Sequence, residues 1–201
     1  MIRAIIFDAD GVIVSSKDLH YETLNRALND YCPGSEISRE EHLTIYDGLP
    51  TKKKLEMLVA KGQLPEHLPE RVNMQKQRYT AKAIADFKFG VYHKALLDRL
   101  QREGFLLAIC SNAIPETVHN ILDNLGISDF FDAIFCNDCV SEAKPSPAIY
   151  LHAMNELRVH PHETIILEDS EYGLQAALAS GAFVKKINVP EDLYNFNFSN
   201  K

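Results

Sequence analysis

Short apolar runs bounded by polar residues recur along this chain, and helical spacing fills most of the intervals between them. The run from Ile2 to Phe7, broken only by Arg3, reads as a first strand. Phe105–Cys110, Ala133–Phe135, Thr164–Leu167 and Ala182–Val184 read as four more. Residues 91–103 place Val91, Ala95, Leu96 and Leu100 on one face before Gly104 stops the pattern. Residues 115–125 begin with Pro115 at a first helical position, carry Val118, Ile121, Leu122 and Leu125 on one stripe, and end at Gly126. Residues 147–157 follow Ser146-Pro147 and turn Ile149, Ala153, Met154 and Leu157 inward, and residues 171–180 end at Gly181. Strands alternating with helices of this length predict βαβ units, hence an α/β fold with a parallel sheet covered on both faces.

Residues 15–85 break the alternation. Their pattern is helical throughout: Ser15 with Asp18 and Ser38 with Glu41 read as capping boxes, and helical stretches follow over 51–62 and from Pro69 to about Ala85. This predicts a helical insert placed directly after the first strand.

Composition narrows the class. The 201 residues allow one domain, or a domain with a smaller insert, and 46% hydrophobic with 24% charged residues is a globular balance. The longest uninterrupted apolar run, Phe105–Cys110, is far short of the ~20 residues of a membrane helix. The opening residues do not read as a signal peptide. Four cysteines without such a signal are expected to be free thiols in a reducing cytoplasm. A formal charge of −7 argues against a nucleic-acid surface. It leaves an anionic small substrate open, because net charge is screened beyond about 8 Å at physiological salt.

The candidate chemistry lies at the strand ends. Asp8 and Asp10 follow the first strand and Ser111-Asn112 the second; Lys144 comes in the loop after the third, and Glu168-Asp169 closes the fourth. Ligands of open α/β sheets bind outside the carboxyl ends of the strands, so four strands in succession deliver polar groups to the functional edge. Asp8, Asp10, Glu168 and Asp169 offer hard oxygen ligands suited to Mg²⁺. Ser111 ahead of a helix offers a hydroxyl and free N–H groups to a phosphate, with Lys144 as the counter-charge. Together these groups make a phosphoryl-transfer site.

These motifs resemble a known family. Phe7-Asp8-Ala9-Asp10-Gly11-Val12, Ser111-Asn112, Lys144-Pro145-x-Pro147 and Leu167-Glu168-Asp169-Ser170 are similar to the four motifs of the haloacid dehalogenase superfamily. The similarity points to the branch of β-phosphoglucomutase-like and phosphoglycolate-phosphatase-like proteins and runs to about Ile187. It implies a Rossmann-like parallel-sheet core over 1–14 and 86–201 with an inserted helical cap over 15–85. It implies that Asp8 is the nucleophile, and that Asp10 is the general acid and then the base, with its backbone carbonyl toward Mg²⁺. Ser111 and the backbone of Asn112 would hold the phosphoryl group, Lys144 would neutralise it, and Asp169 would ligate the metal, with Glu168 doing so directly or through water. An acid at Asp10 implies a phosphatase or phosphomutase rather than a dehalogenase.

The same branch often carries an arginine three residues after the glycine of the substrate loop, where it grips a distal phosphate. Counted from Gly48 that position is Thr51, which has no charge, and Lys52 one residue later is an imperfect substitute. The expected function is therefore a phosphatase of a small phosphorylated metabolite, with a β-phosphoglucomutase-like sugar phosphomutase as the alternative. From another class, a non-catalytic phosphometabolite-binding protein is the rival, but it would usually have lost Asp8 or Asp10. For His20 the resemblance implies assistance to proton transfer near the hinge, set against an ordinary amphipathic-helix histidine. Lys52-Lys53-Lys54 reads first as a solvated face, with the alternative that one lysine reaches a substrate anion when the cap closes, Lys52 being the candidate. Ser111-Asn112 alone would be a helix cap. Cys136-x-x-Cys139 lacks a second ligand pair and reads as one buried and one loop thiol rather than a zinc or redox site.

Overall fold

The structure, a computed structural model, describes residues 1–86, 93–195 and 198. Five parallel strands form one sheet in the order β3-β2-β1-β4-β5: β1 is Ala4–Phe7, β2 Leu106–Cys110, β3 Ala133–Phe135, β4 Thr164–Glu168 and β5 Phe183–Lys186. Every residue of β1 and β4 is buried, as befits central strands covered on both faces. Alternation then sorts their side chains. Ile5 and Phe7 join Leu107 and Ile109 in the apolar layer under helices α5 (Lys94–Arg102) and α6 (Pro115–Leu125). Ala4 and Ile6 join Ala108 and Ile166 under α7 (Ala148–Glu156) and α8 (Glu171–Ala179).

Register brings the functional edge together. Phe7 pairs with Ile109 on one side and Leu167 on the other, so the next residues, Asp8, Cys110 and Glu168, leave the sheet at one level. Strand order reverses at β1 and β4, which is where an open α/β sheet forms its crevice.

Between β1 and α5 lie α1 (Lys17–Tyr31), α2 (Arg39–Thr44), α3 (Thr51–Ala60) and α4 (Pro69–Asp86). They hold their own apolar cluster, in which Leu24 and Leu28 of α1 meet Leu55 and Leu58 of α3 and Val72 of α4. The far ends of α1 and α4 return to the sheet: Leu19 and Ile84 belong to the layer under α5 and α6, and Asn124 donates to the Ile84 carbonyl at 3.1 Å.

Two local expectations are corrected. The Ser38–Glu41 capping box is present, but α1 starts from Ser16 rather than Ser15, and Asp18 pairs with Arg39 in solvent instead of returning to the cap. The hydroxyl of Ser16 is diverted to the Asp10 carboxylate. On α5 Ala95 is exposed, and Leu97 takes the buried place beside Leu96 and Leu100. Val91 lies outside the described residues. No helix among the described residues is long and apolar enough to cross a membrane.

Candidate active site

Asp8 is held at the end of β1 by its backbone N–H, which donates to the Leu167 carbonyl at 3.0 Å. Lys144, fully enclosed, donates to Asp8 Oδ1 at 2.6 Å, to Glu168 Oε1 at 2.5 Å and to the Cys110 carbonyl at 2.8 Å. All three protons of the ammonium are thereby used, and its position relative to three strand ends is set. Burial opposes its charge, but Asp8 and Glu168 outweigh burial and raise its pKa above the ordinary lysine value. Tyr150 of α7 completes this buried group: its hydroxyl donates to Glu168 Oε1 at 2.6 Å, and its ring lies 4.8 Å from the Lys144 ammonium.

Glu168 is held by several donors. Oε1 accepts from Lys144 and Tyr150, and Oε2 accepts from the backbone N–H groups of Asp169 and Ser170 at 3.0 and 3.3 Å. Asp169 is different. Among the described residues its Oδ1 is buried without a hydrogen-bond partner, and only the Lys17 ammonium approaches Oδ2, at 2.7 Å. Ligand atoms of Asp8, Glu168 and Asp169 lie within 4.8 Å of one another. A cluster of hard oxygens with an unsatisfied member fits a divalent cation such as Mg²⁺. Burial, with Glu168 and Asp169 alongside, pushes the Asp8 carboxyl well above the ordinary range despite Lys144. Burial likewise pushes Asp169 up to about 6, with Lys17 pulling the other way. Gly11 makes the close approach possible: its φ is +94°, and a β-carbon there would collide with the Asp169 carboxylate.

Asp10 faces the helical insert. Its Oδ2 lies 3.2 Å from His20 Nε2, and the Ser16 hydroxyl donates to Oδ1. Burial alone would raise its pKa, but His20, Ser16 and Lys76 together hold it well below the ordinary carboxylate range. His20 Nδ1 lies 3.3 Å from the Lys76 ammonium, which can only donate, so Nδ1 accepts and Nε2 carries the proton toward Asp10. Burial lowers the pKa of His20, with Asp10 opposing.

Ser111 is buried at the end of β2, but it is not a helix cap. Its hydroxyl accepts from the Ala113 N–H at 3.1 Å, and α6 begins only after Ile114, which makes no side-chain cap. The loop 111–114 therefore presents backbone ahead of the helix rather than at its first turn. The Asn112 side chain is a structural tie. Its Nδ2 donates to the Gly48 carbonyl at 2.8 Å, and its Oδ1 accepts from the Lys144 N–H at 3.0 Å. One amide thus joins the sheet edge, the Lys144 loop and the insert. Gly48 needs its φ of +73°, and a β-carbon there would stand 2.6 Å from Ser170 Oγ.

A cavity of about 130 Å³ lies between the sheet edge and the insert, lined by Asp8, Asp10, Ser111, Asn112 and Lys144 below and by His20, Gly48, Thr51 and Lys52 above. The solvated-face reading of the lysine run holds for two of its three residues. Lys52 and Lys53 are exposed, whereas Lys54 turns inward and lines the cavity with Lys76. Thr51 brings no charge, but the helical wall is cationic all the same. The signal was in the spacing: Lys54 stands four residues before Leu58, and Lys76 sits in the stripe Val72-Lys76-Thr80-Ile84, so both occupy buried faces. Lys17, bridging Asp47 and Asp169 at 2.7 Å each, was legible in neither motif nor period. The cysteines behave as expected: none is in a disulfide, Cys136 is buried and Cys139 exposed, and burial pushes the Cys136 thiol up to about 12.

The haloacid dehalogenase-like hydrolase pattern matches residues 5–187. The chain belongs to that family. This hydrolase is 27% identical over 183 residues to the phosphorylated carbohydrates phosphatase of Thermotoga maritima, a match covering 90% of this chain and 82% of that one. It is 32% identical over 183 residues to phosphoglycolate phosphatase of Cereibacter sphaeroides, covering 89% and 80%. Its fold superposes with a TM-score of 0.83 on a CbbY mutant from Rhodobacter sphaeroides in complex with xylulose-(1,5)bisphosphate, at 28% identity over 92% of this chain and 85% of that one. The hydrolase is an enzyme of the phosphatase kind.

Proposed function

We propose that this hydrolase is a Mg²⁺-dependent phosphatase of a small phosphate monoester and works through an aspartyl-phosphate at Asp8. The observation that carries the reading is the buried array around Asp8. Lys144 pins one oxygen of the nucleophile, Asp169 waits beside it with an unsatisfied oxygen, and Asp10 stands two residues on with its own proton partner. Relatives named for phosphoglycolate and for phosphorylated carbohydrates support a small substrate, as does a cavity well below the about 300–1,000 Å³ that encloses drug-sized ligands.

Asp8 attacks phosphorus with its free carboxylate oxygen, and the bond from phosphorus to the ester oxygen breaks. Asp10 gives its proton to the departing alcohol oxygen and later takes one from the water that attacks the phosphorus, releasing inorganic phosphate and restoring Asp8. In the resting site Asp10 is a carboxylate, so for the first turnover it takes a proton from solvent as the anionic phosphoryl group arrives beside it, and each later turnover uses the proton taken from the attacking water. Asp8, Asp169 and the Asp10 carbonyl would hold Mg²⁺, with Glu168 reaching it through water; the ion supplies positive charge against Asp8 and the phosphoryl oxygens. Ser111 and the Asn112 backbone grip those oxygens, while Lys144, its three protons already engaged, orients Asp8 and supplies positive charge nearby.

Residues 15–85 act as the cap over a core of residues 1–14 and 86–201. The Asn112–Gly48 hydrogen bond and the Lys17 bridge between Asp47 and Asp169 close it against the sheet edge. Closure excludes bulk water from the intermediate. Free thiols suit a reducing cytoplasm.

A panel of phosphorylated sugars, sugar acids and other small esters tests the reading. Phosphate release is expected from at least one of them with Mg²⁺, with loss on chelation and a loss of several orders of magnitude in folded Asp8→Asn. Release that survives exhaustive chelation, or near-normal turnover by that variant, would remove the assignment.

A further inference from the structure

Asp169 keeps one oxygen without a partner, and the side chain that holds its other oxygen comes from the helical insert. Lys17, the first residue of α1, places its ammonium 2.7 Å from Asp169 Oδ2 and 2.7 Å from Asp47 Oδ2. A cation at a helix N-terminus opposes the positive end of the helix dipole, so α1 itself gives no reason for a lysine there. The two carboxylates do.

Lys17 does not stand where a metal ion would. An ammonium seated between the clustered carboxylates would pair with Asp8 as well as with Asp169. Lys17 pairs with neither Asp8 nor Asp10, and the ammonium on Asp8 is that of Lys144. It therefore lies on the side of Asp169 that faces Asp47. The hold is firm from outside, because Asp47 precedes Gly48, whose carbonyl accepts from Asn112 Nδ2 at 2.8 Å. The backbone of Gly11 closes in on the same carboxylate, leaving no room for a β-carbon. With Oδ2 engaged in this way, Oδ1 is the oxygen of Asp169 left for a cation in the cluster with Asp8 and Glu168.

One oxygen or two is a question of ion size. Mg²⁺ demands a near-ideal octahedron at about 2.0–2.1 Å, which the narrow bite of a bidentate carboxylate distorts, whereas Ca²⁺ takes six to eight oxygens at about 2.3–2.6 Å and accepts both oxygens of one carboxylate. To offer both, Asp169 would have to take Oδ2 from Lys17 and leave the ammonium with Asp47 alone. Resting on the Mg²⁺-dependent phosphatase reading, we infer that Lys17 is a positioning residue: it holds Asp169 Oδ2 against Asp47, leaves that carboxylate one oxygen for the cation, and so favours Mg²⁺ over Ca²⁺. Removing a group that holds a metal-binding carboxylate from behind typically changes affinity by about 10- to 100-fold.

Calorimetric titration of the metal-free protein with Mg²⁺ and with Ca²⁺ gives the ratio of the two association constants. The ratio is the informative quantity, because losing the charge of Lys17 acts alike on two divalent ions and cancels, while a change in coordination does not. Wild type is expected to prefer Mg²⁺. Lys17→Met should lower the ratio by about 10-fold or more, chiefly through tighter Ca²⁺ binding. Lys17→Arg keeps the charge and can span both carboxylates, so it should retain most of the ratio. Asp47→Asn loosens the outer anchor without touching the sheet; it should shift the ratio in the same direction, and it replaces Lys17→Met as the deciding variant if that chain does not fold. Calorimetry reads the cation without turnover, so normal cation binding with no phosphate release from any ester refutes the phosphatase reading alone. A wild type that binds neither ion, or binds Ca²⁺ as tightly as Mg²⁺, overturns the inference, as does an unaltered ratio in the deciding variant.

Discussion

Replacing Lys54 by Met should make the ligand-free protein more stable, although it removes a charged residue from the active-site wall. Methionine keeps the length and apolar stem of lysine, so Leu55 and Leu58 keep their packing while the buried ammonium goes. The magnitude follows from the displacement of Lys54 from 10.5 to about 8 in the folded protein. At about 1.4 kcal/mol for each pH unit this amounts to about 3 kcal/mol, an upper figure for the gain. The pH dependence has a definite sign. At pH 7 lysine is protonated in both folded and unfolded chains, so the folded state bears the whole cost. Between about pH 8 and 10.5 the folded state gives up its proton first, the unfolded state binds more protons, and wild-type stability rises. Above that window lysine is neutral in both states and the advantage of methionine fades. Urea unfolding of both proteins at pH 7, 9 and 10.5, free of Mg²⁺ and phosphate, measures this directly. A gain approaching 3 kcal/mol corresponds to a rise in Tm of about 6–12 °C at this chain length. A variant less stable than wild type at pH 7, or a gain of the same size at pH 10.5, would refute the reasoning.

Tyr150→Phe leaves Glu168 Oε1 short of a buried donor and should cost about 1–3 kcal/mol in the same unfolding assay. Gly11→Ala combines a positive φ with a collision at Asp169; circular dichroism and phosphate release should report a folded but destabilised protein whose Mg²⁺-dependent turnover is largely lost. With β-glucose 1-phosphate and catalytic glucose 1,6-bisphosphate, NMR should show free phosphate without isomerisation. Fast conversion to glucose 6-phosphate with little free phosphate would make the enzyme a mutase whose lysine wall retains the bisphosphate.

Some of this protein was already determined by local sequence. The strand at Ala133–Phe135 and the helix at Pro115–Leu125 fall where periodicity, Pro115 and Gly126 put them, because period and stop signals act within a few residues. Asp8, Ser111, Lys144 and Asp169 could be grouped before any coordinate because parallel strands must deliver their carboxyl ends to one edge. Tertiary structure decided what depends on rotation and on distant neighbours. Successive helical residues are about 100° apart, so the three lysines point in three directions; the spacing to Leu58 marks Lys54 as inward, and only the docking of α3 against α1 and α4 decides that its ammonium meets the cavity. Ser16 rather than Ser15 begins α1, and its hydroxyl is drawn to Asp10, because a hydrogen bond to a carboxylate is stronger than one to a neutral backbone group. Tyr150 and the Asn112 side chain owe their roles to contacts made across 18 and 64 residues of chain. Such contacts arise only once the sheet and the helices have packed, and no local pattern encodes them.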